Sequence, residues 1–111
     1  MASIRMTNAV VSILTYMVEH EGKSIYGYEL FKSVNVGIPT GYSVLHKLEG
    51  LGWVKSQWKN PIATASKEER PRRYYQLTRE GIREARKALG VWFENNQPIY
   101  EKVMGLFKTA G

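Results

Sequence analysis

The side chains that could do covalent or metal chemistry in this chain are few. Only His20 and His46 carry imidazoles, cysteine is absent, and all ten acidic residues are glutamates. Without cysteine there is no disulfide, thiol nucleophile or thiolate zinc site. Without aspartate there is no Ser-His-Asp triad and no Asp-based cation cage. Two histidines make a multi-His metal centre improbable. The sequence therefore predicts no enzyme, no metal and no cofactor. What remains is cationic: 16 Lys and Arg against 10 Glu give 111 residues a net charge of +6 and a pI near 9.7. A small basic domain is suited to a polyanion, and nucleic acid is the commonest one.

The cations and hydrogen-bonding residues fall in two clusters. The first is Thr40, Gly41, Tyr42, Ser43, His46 and Lys47. His46 can donate to or accept from a base or a phosphate. Lys47 suits guanine or phosphate, and the hydroxyls of Thr40, Tyr42 and Ser43 suit phosphates. The second cluster is the segment 55–73, with Lys55, Lys59, Lys67, Arg70, Arg72 and Arg73 against Glu68 and Glu69, a net +4 that is most of the charge of the chain. Lys59, Arg70, Arg72 and Arg73 are the cations expected to follow a phosphate backbone or enter a minor groove. Glu68 and Glu69 argue against Lys67.

Regular elements must hold these clusters in place. Met6, Val10, Ile13, Leu14 and Met17 recur every three or four residues and predict a helix over 4–19, stopped near Gly22. Ser24 is the expected cap of a second helix over 25–34, in which Ile25, Tyr28, Phe31 and Val34 share a side. Gly27 inside it is either a close helix approach or a tolerated weak spot costing about 1 kcal/mol. After a turn at 35–38, Pro39 opens a third helix to about Leu51. Val44, Leu45, Leu48 and Leu51 form its apolar side, and Tyr42, Ser43, His46, Lys47, Glu49 and Gly50 lie opposite. Two short helices with a tight turn and a polar outer face on the second make a helix-turn-helix pattern. Beyond Gly52, residues 53–59 and 72–77 read as two strands of a hairpin. The predicted fold is mainly α (α+β), a winged helix-turn-helix with a two-stranded wing and a long C-terminal helix.

Thr78 is the expected cap of that last helix, with Glu80 complementing its dipole. Ile82, Ala85, Leu89, Trp92, Asn96, Ile99, Val103 and Leu106 alternate gaps of three and four, a heptad seam that predicts dimerisation, with Met6 and Val10 of the first helix joining in. The competing reading packs 82–106 on helix 4–19 of its own chain. Asn96 either fixes register or ends the helix beside Pro98, which cannot donate a backbone bond. Residues 1–77 are thus expected to bind DNA and 78–111 to dimerise. Trp92 and Phe93 offer aromatic surface between which a flat ligand can sit, against the plainer reading of interface packing. No run approaches the ~18 apolar residues of a membrane span. No signal peptide is apparent, so a cytoplasmic location is expected.

The residues also match a known pattern. Tyr26-Gly27-Tyr28-Glu29-Leu30, the run from Thr40 to Glu49, Gly52-Trp53-Val54 and the run from Arg72 to Gly81 resemble the PadR family of bacterial transcriptional regulators, in particular its short subfamily with one C-terminal helix. The likeness spans roughly residues 8–107. It implies a winged helix dimerising through the C-terminal helix. It also implies binding to an inverted-repeat operator, usually as a repressor, with release by a phenolic or drug-like effector. By this resemblance Tyr28 and Tyr42 touch phosphates, Arg72 and Arg73 belong to the wing, and Trp92 sits where one branch stacks planar ligands. The chain departs from the family at Tyr26, commonly His, at Ser43, commonly Pro, and at Gly41, usually apolar. Ser43 and Gly41 imply a different operator preference.

The function expected is that of a sequence-specific, homodimeric regulator of transcription on double-stranded DNA. Two other functions fit the same charge pattern: a sequence-tolerant architectural DNA-binding protein, and a winged-helix module docking an acidic protein.

Overall fold

A computed structural model of the chain describes residues 4–59 and 72–96. The first helix, α1, runs Asn8–Glu19, because the Thr7 hydroxyl accepts the Val10 N–H at 3.3 Å and sets the start there. The expected start at residue 4 is thereby corrected. Val10, Ile13, Leu14 and Met17 are its buried stripe.

Ile25 and Tyr26 do not begin a helix. They form a short strand, β1 (Ile25–Tyr26), and α2 (Gly27–Val34) follows with Tyr26 at its cap position and no side-chain cap. Ser24 is therefore not the cap. A β-branched and an aromatic residue favour extended backbone, and a waiting strand edge satisfies their amides. Gly27 is the first residue of α2 and is buried, and a Cβ there would meet the Tyr75 ring at 3.1 Å, a tight contact that the ring relieves by shifting a few tenths of an ångström. Asn35 in the left-handed region, φ 55°, ends α2.

Helix α3 (Ile38–Gly50) starts one residue before Pro39 and buries Gly41, Val44, Leu45 and Leu48. Gly41 faces the Phe31 ring of α2, and any Cβ would collide with it. Strands β2 (Val54–Lys59) and β3 (Arg72–Leu77) form the expected antiparallel hairpin, with Val54 opposite Leu77 and Lys59 opposite Arg72. The sheet order is β1-β3-β2, so the two-stranded wing has a third strand at its root, Ile25 pairing Tyr75 and Tyr26 pairing Tyr74. The hairpin face holding Val54 and Leu77 is buried at the root, whereas Trp58 on the same face is 65% exposed.

Helix α4 (Arg79–Asn95) begins at Thr78, whose hydroxyl accepts the Gly81 N–H at 2.9 Å. Its start rests directly on Trp53. The Trp53 carbonyl accepts the Thr78 N–H at 2.9 Å, and a Cβ at Gly81 would run into that same carbonyl group. Ala85 and Leu89 are buried in the common core with α1, α2, α3 and the sheet root. The core is almost wholly apolar: the Tyr75 phenol and the Trp53 indole are the polar-tipped side chains within it, and among the described residues no charged side chain is buried.

Two expectations for the seam change accordingly. Val10, Ala85 and Leu89 are covered within one chain, at 3%, 0% and 7% exposure, and are core rather than free interface residues. Asn96 caps the helix, its side-chain amide donating to the Trp92 carbonyl at 2.8 Å. Ile99, Val103, Leu106 and Pro98 lie outside the described residues. None of the described helices is long and apolar enough to cross a membrane. The architecture is that of a winged helix with an added C-terminal helix.

Candidate nucleic-acid interface

The polar face of α3 is built by its burial pattern. With Val44, Leu45 and Leu48 fixed in the core, helical geometry turns Thr40, Tyr42, Ser43, His46 and Lys47 to solvent, and all five are exposed. The N-terminus of α3 has Gly37 at its cap and no side-chain cap bond, so the dipole there is offset by no side-chain acceptor. Tyr42 is held edge-on against Phe31, ring centroids 4.8 Å apart, with 40% of its surface free. Tyr28 on α2 is 47% exposed. Gly41 is the exception in the expected set, since it is buried under Phe31 and serves the packing of α2 on α3 rather than the exposed face.

The N-terminal segment adds a cation that sequence reasoning missed. A groove of about 690 Å³ runs between residues 4–7 and α3, lined by Arg5, Thr7, Thr40, Ser43 and Lys47. Arg5 shows no helical periodicity with the rest, and only the Thr7 cap signal hints that it stands outside α1.

On the wing, Lys59 and Arg72 are exposed and lie over tyrosine rings, Lys59 at 4.7 Å from the Tyr74 centroid and Arg72 at 5.1 Å from Tyr26. Arg73 is placed differently. Its Nη2 donates to both carboxylate oxygens of Glu49, at 3.2 and 3.3 Å, and Nε and Nη2 donate to the Ser56 hydroxyl at 3.1 and 2.9 Å. The expected free wing cation is thus tied to the last turn of α3. Beside it, burial pushes the Tyr75 phenol above its usual range, with the Arg73 guanidinium opposing the shift. Arg70 and Lys67 lie outside the described residues.

Trp92 is half-buried and lines a second cleft, of about 380 Å³, together with Ile4, Met6, Trp53 and Val91. Phe93 meets Trp92 edge-on at 5.1 Å but does not line this cleft. Ile82 and Met6 are half-buried, and Val91 is 57% exposed. Among the described residues no three His or Glu side chains gather as a metal site would require.

The family model of the transcriptional regulator PadR-like family matches residues 13–87. Among solved structures, a PadR family transcriptional regulator from Eggerthella lenta is similar at 27% identity and a TM-score of 0.64, over 85% of this chain and 80% of that one. A PadR family transcription regulator from Clostridium difficile is similar at 27% identity and a TM-score of 0.59, over 91% of this chain and 98% of that one. MepR of S. aureus, solved as a DNA complex, shares 18% identity at a TM-score of 0.57, over 96% of this chain and 82% of its own, a likeness of fold alone. Comparison with curated proteins gives no match.

Proposed function

Because the chain belongs to the transcriptional regulator PadR-like family, we propose that it is a sequence-specific DNA-binding repressor that acts as a homodimer on an inverted-repeat operator. The observation that carries this reading is the exposed face of α3, where Thr40, Tyr42, Ser43, His46 and Lys47 stand together over a fully buried apolar side. A major groove admits one such helix, and His46 and Lys47 carry the groups that read base edges. Tyr28, Thr40, Tyr42, Ser43 and Arg5 sit around its start as phosphate ligands. Lys59 and Arg72 extend the contact along the wing, and the chain shares its fold with a protein solved on DNA.

Dimerisation takes the surface of α4 that the core leaves uncovered, Ile82, Val91 and Trp92 with Met6. Residues 1–77 then carry the DNA contact and 78–111 the partner contact. A planar aromatic effector fits the cleft beside Trp92, and occupancy there changes the spacing of the two recognition helices. In a symmetric dimer these stand about 34–36 Å apart on one duplex face.

Selection of bound fragments from random DNA, with sedimentation of the free protein, tests the reading. The expected result is a dimer and a pseudo-palindromic site whose affinity falls steeply with salt. Equal binding to selected and random duplexes makes the protein an architectural one. Indifference to duplex in dilute buffer removes DNA as the partner.

A further inference from the structure

Glu49 places a carboxylate on the helix that faces the DNA in the reading above, and phosphates repel it. Its one ion-pair partner among the described residues is Arg73, 24 residues away on β3. The guanidinium engages both Glu49 oxygens and the Ser56 hydroxyl, and lies 5.5 Å from the Trp58 ring centroid and 5.7 Å from that of Tyr75. Four contacts from α3, β2 and β3 converge on one side chain that is only 38% exposed. A phosphate ligand needs a cation whose charge is available. Arg73 has its charge answered by a carboxylate already in contact, whereas Lys59 and Arg72 have no ion pair among the described residues.

We propose that Arg73 is a positioning residue: through Glu49 it sets the angle of the wing on α3, so that both reach one duplex in register, and it is not itself a phosphate ligand. The proposal rests on the DNA-binding reading. The planar fork of arginine is what spans a carboxylate and a hydroxyl at once, and lysine cannot replace it there. Misalignment of wing and helix weakens a sequence-specific complex more than a sequence-tolerant one, because base contacts demand register and phosphate contacts recur along the backbone.

Arg73→Lys, Glu49→Gln and the double variant are compared with wild type on two probes, a duplex selected by the wild-type protein and a random-sequence duplex, across a salt series. The expected result is a fall in the selected-to-random affinity ratio of about tenfold for each single variant, comparable to one lost base contact. The double variant falls no further, since both changes break one pair. Random-duplex affinity and salt slope stay at wild-type values for Arg73→Lys, which also shows that the variant is folded. A phosphate-ligand role predicts the opposite pattern: Arg73→Lys keeps the ratio, and Glu49→Gln, by removing a negative charge, tightens binding to both probes alike. Either of those results overturns the proposal. A wild-type ratio near one refutes the sequence-specific reading itself, and the proposal falls with it.

Discussion

Replacing Gly81 by alanine reverses the usual sign of a glycine-to-alanine change in a helix. Gly81 is the third residue of α4, and alanine there gains up to about 1 kcal/mol from helix propensity and a less flexible unfolded chain. The structure opposes this gain with a collision. The new Cβ meets the backbone carbonyl of Trp53, which cannot swing aside because it accepts the Thr78 N–H at 2.9 Å. Helix α4 must lift until carbon atoms stand roughly 3.5 Å apart. Overpacking of this kind costs about 1–3 kcal/mol. The lift also stretches the Thr78 cap, worth about 1 kcal/mol. The net loss is about 1–3 kcal/mol, or roughly 4–20 °C in Tm for a domain of this size. Gly90 in the same helix is the control, for nothing lies within 4 Å of its would-be Cβ. Gly90→Ala is expected to raise Tm by roughly 4–8 °C. Both are read by thermal melting at one fixed protein concentration, since a dimer melts in a concentration-dependent way. A Gly81→Ala protein melting at or above wild type refutes the close approach of α4 to Trp53.

Other consequences are as direct. Lys47→Ala lowers the slope of log affinity against log salt by about one, measured by titration on duplex DNA, and an unchanged slope removes Lys47 from the phosphate contacts. His46→Ala changes the sequence recovered by selection from random DNA, whereas uniform weakening on all sequences reduces His46 to a backbone contact. Thr78→Ala loses about 1–2 kcal/mol by chemical denaturation, since the hydroxyl both caps Gly81 and donates to the Gly52 carbonyl at 2.7 Å, while Thr78→Ser keeps most of that. Tyr75 is an acid raised by burial from 10.0, so its folded state holds the proton more tightly. Stability is complete below the unfolded value and declines as pH rises above it. Tyr75→Phe flattens that alkaline decline, and an equally steep loss in the variant places its origin elsewhere.

Much of this architecture is legible in the sequence because it is local. The three-and-four spacing of Val44, Leu45 and Leu48 fixes which side of α3 is exposed, and with it the candidate interface. The run Arg72-Arg73-Tyr74-Tyr75-Gln76-Leu77 reads as a strand with the bounds it has, and Thr78 announces the start of α4. What is not legible depends on partners distant in sequence. Ile25 shares helical spacing with Tyr28, Phe31 and Val34, and only the edge of β3 makes it and Tyr26 a strand. Gly41 sits among exposed polar residues, yet the Phe31 ring claims its side of the helix. The basic count of the hairpin treats Arg73 as equal to Arg72, because no spacing rule links it to Glu49. The alternating pattern of α4 is satisfied first by α1 of the same chain, through Ala85 and Leu89, before any second copy is needed.

The central place of β3 has a corollary for chain length. Its residues are held from both edges, by Ile25 and Tyr26 on one side and by Val54 through Lys59 on the other. Alignment of the strand therefore does not depend on how many residues join it to β2, and the entropic toll of lengthening such a connection rises only slowly. A change in the number of residues between positions 60 and 71 leaves the pairing at the root of the sheet unchanged.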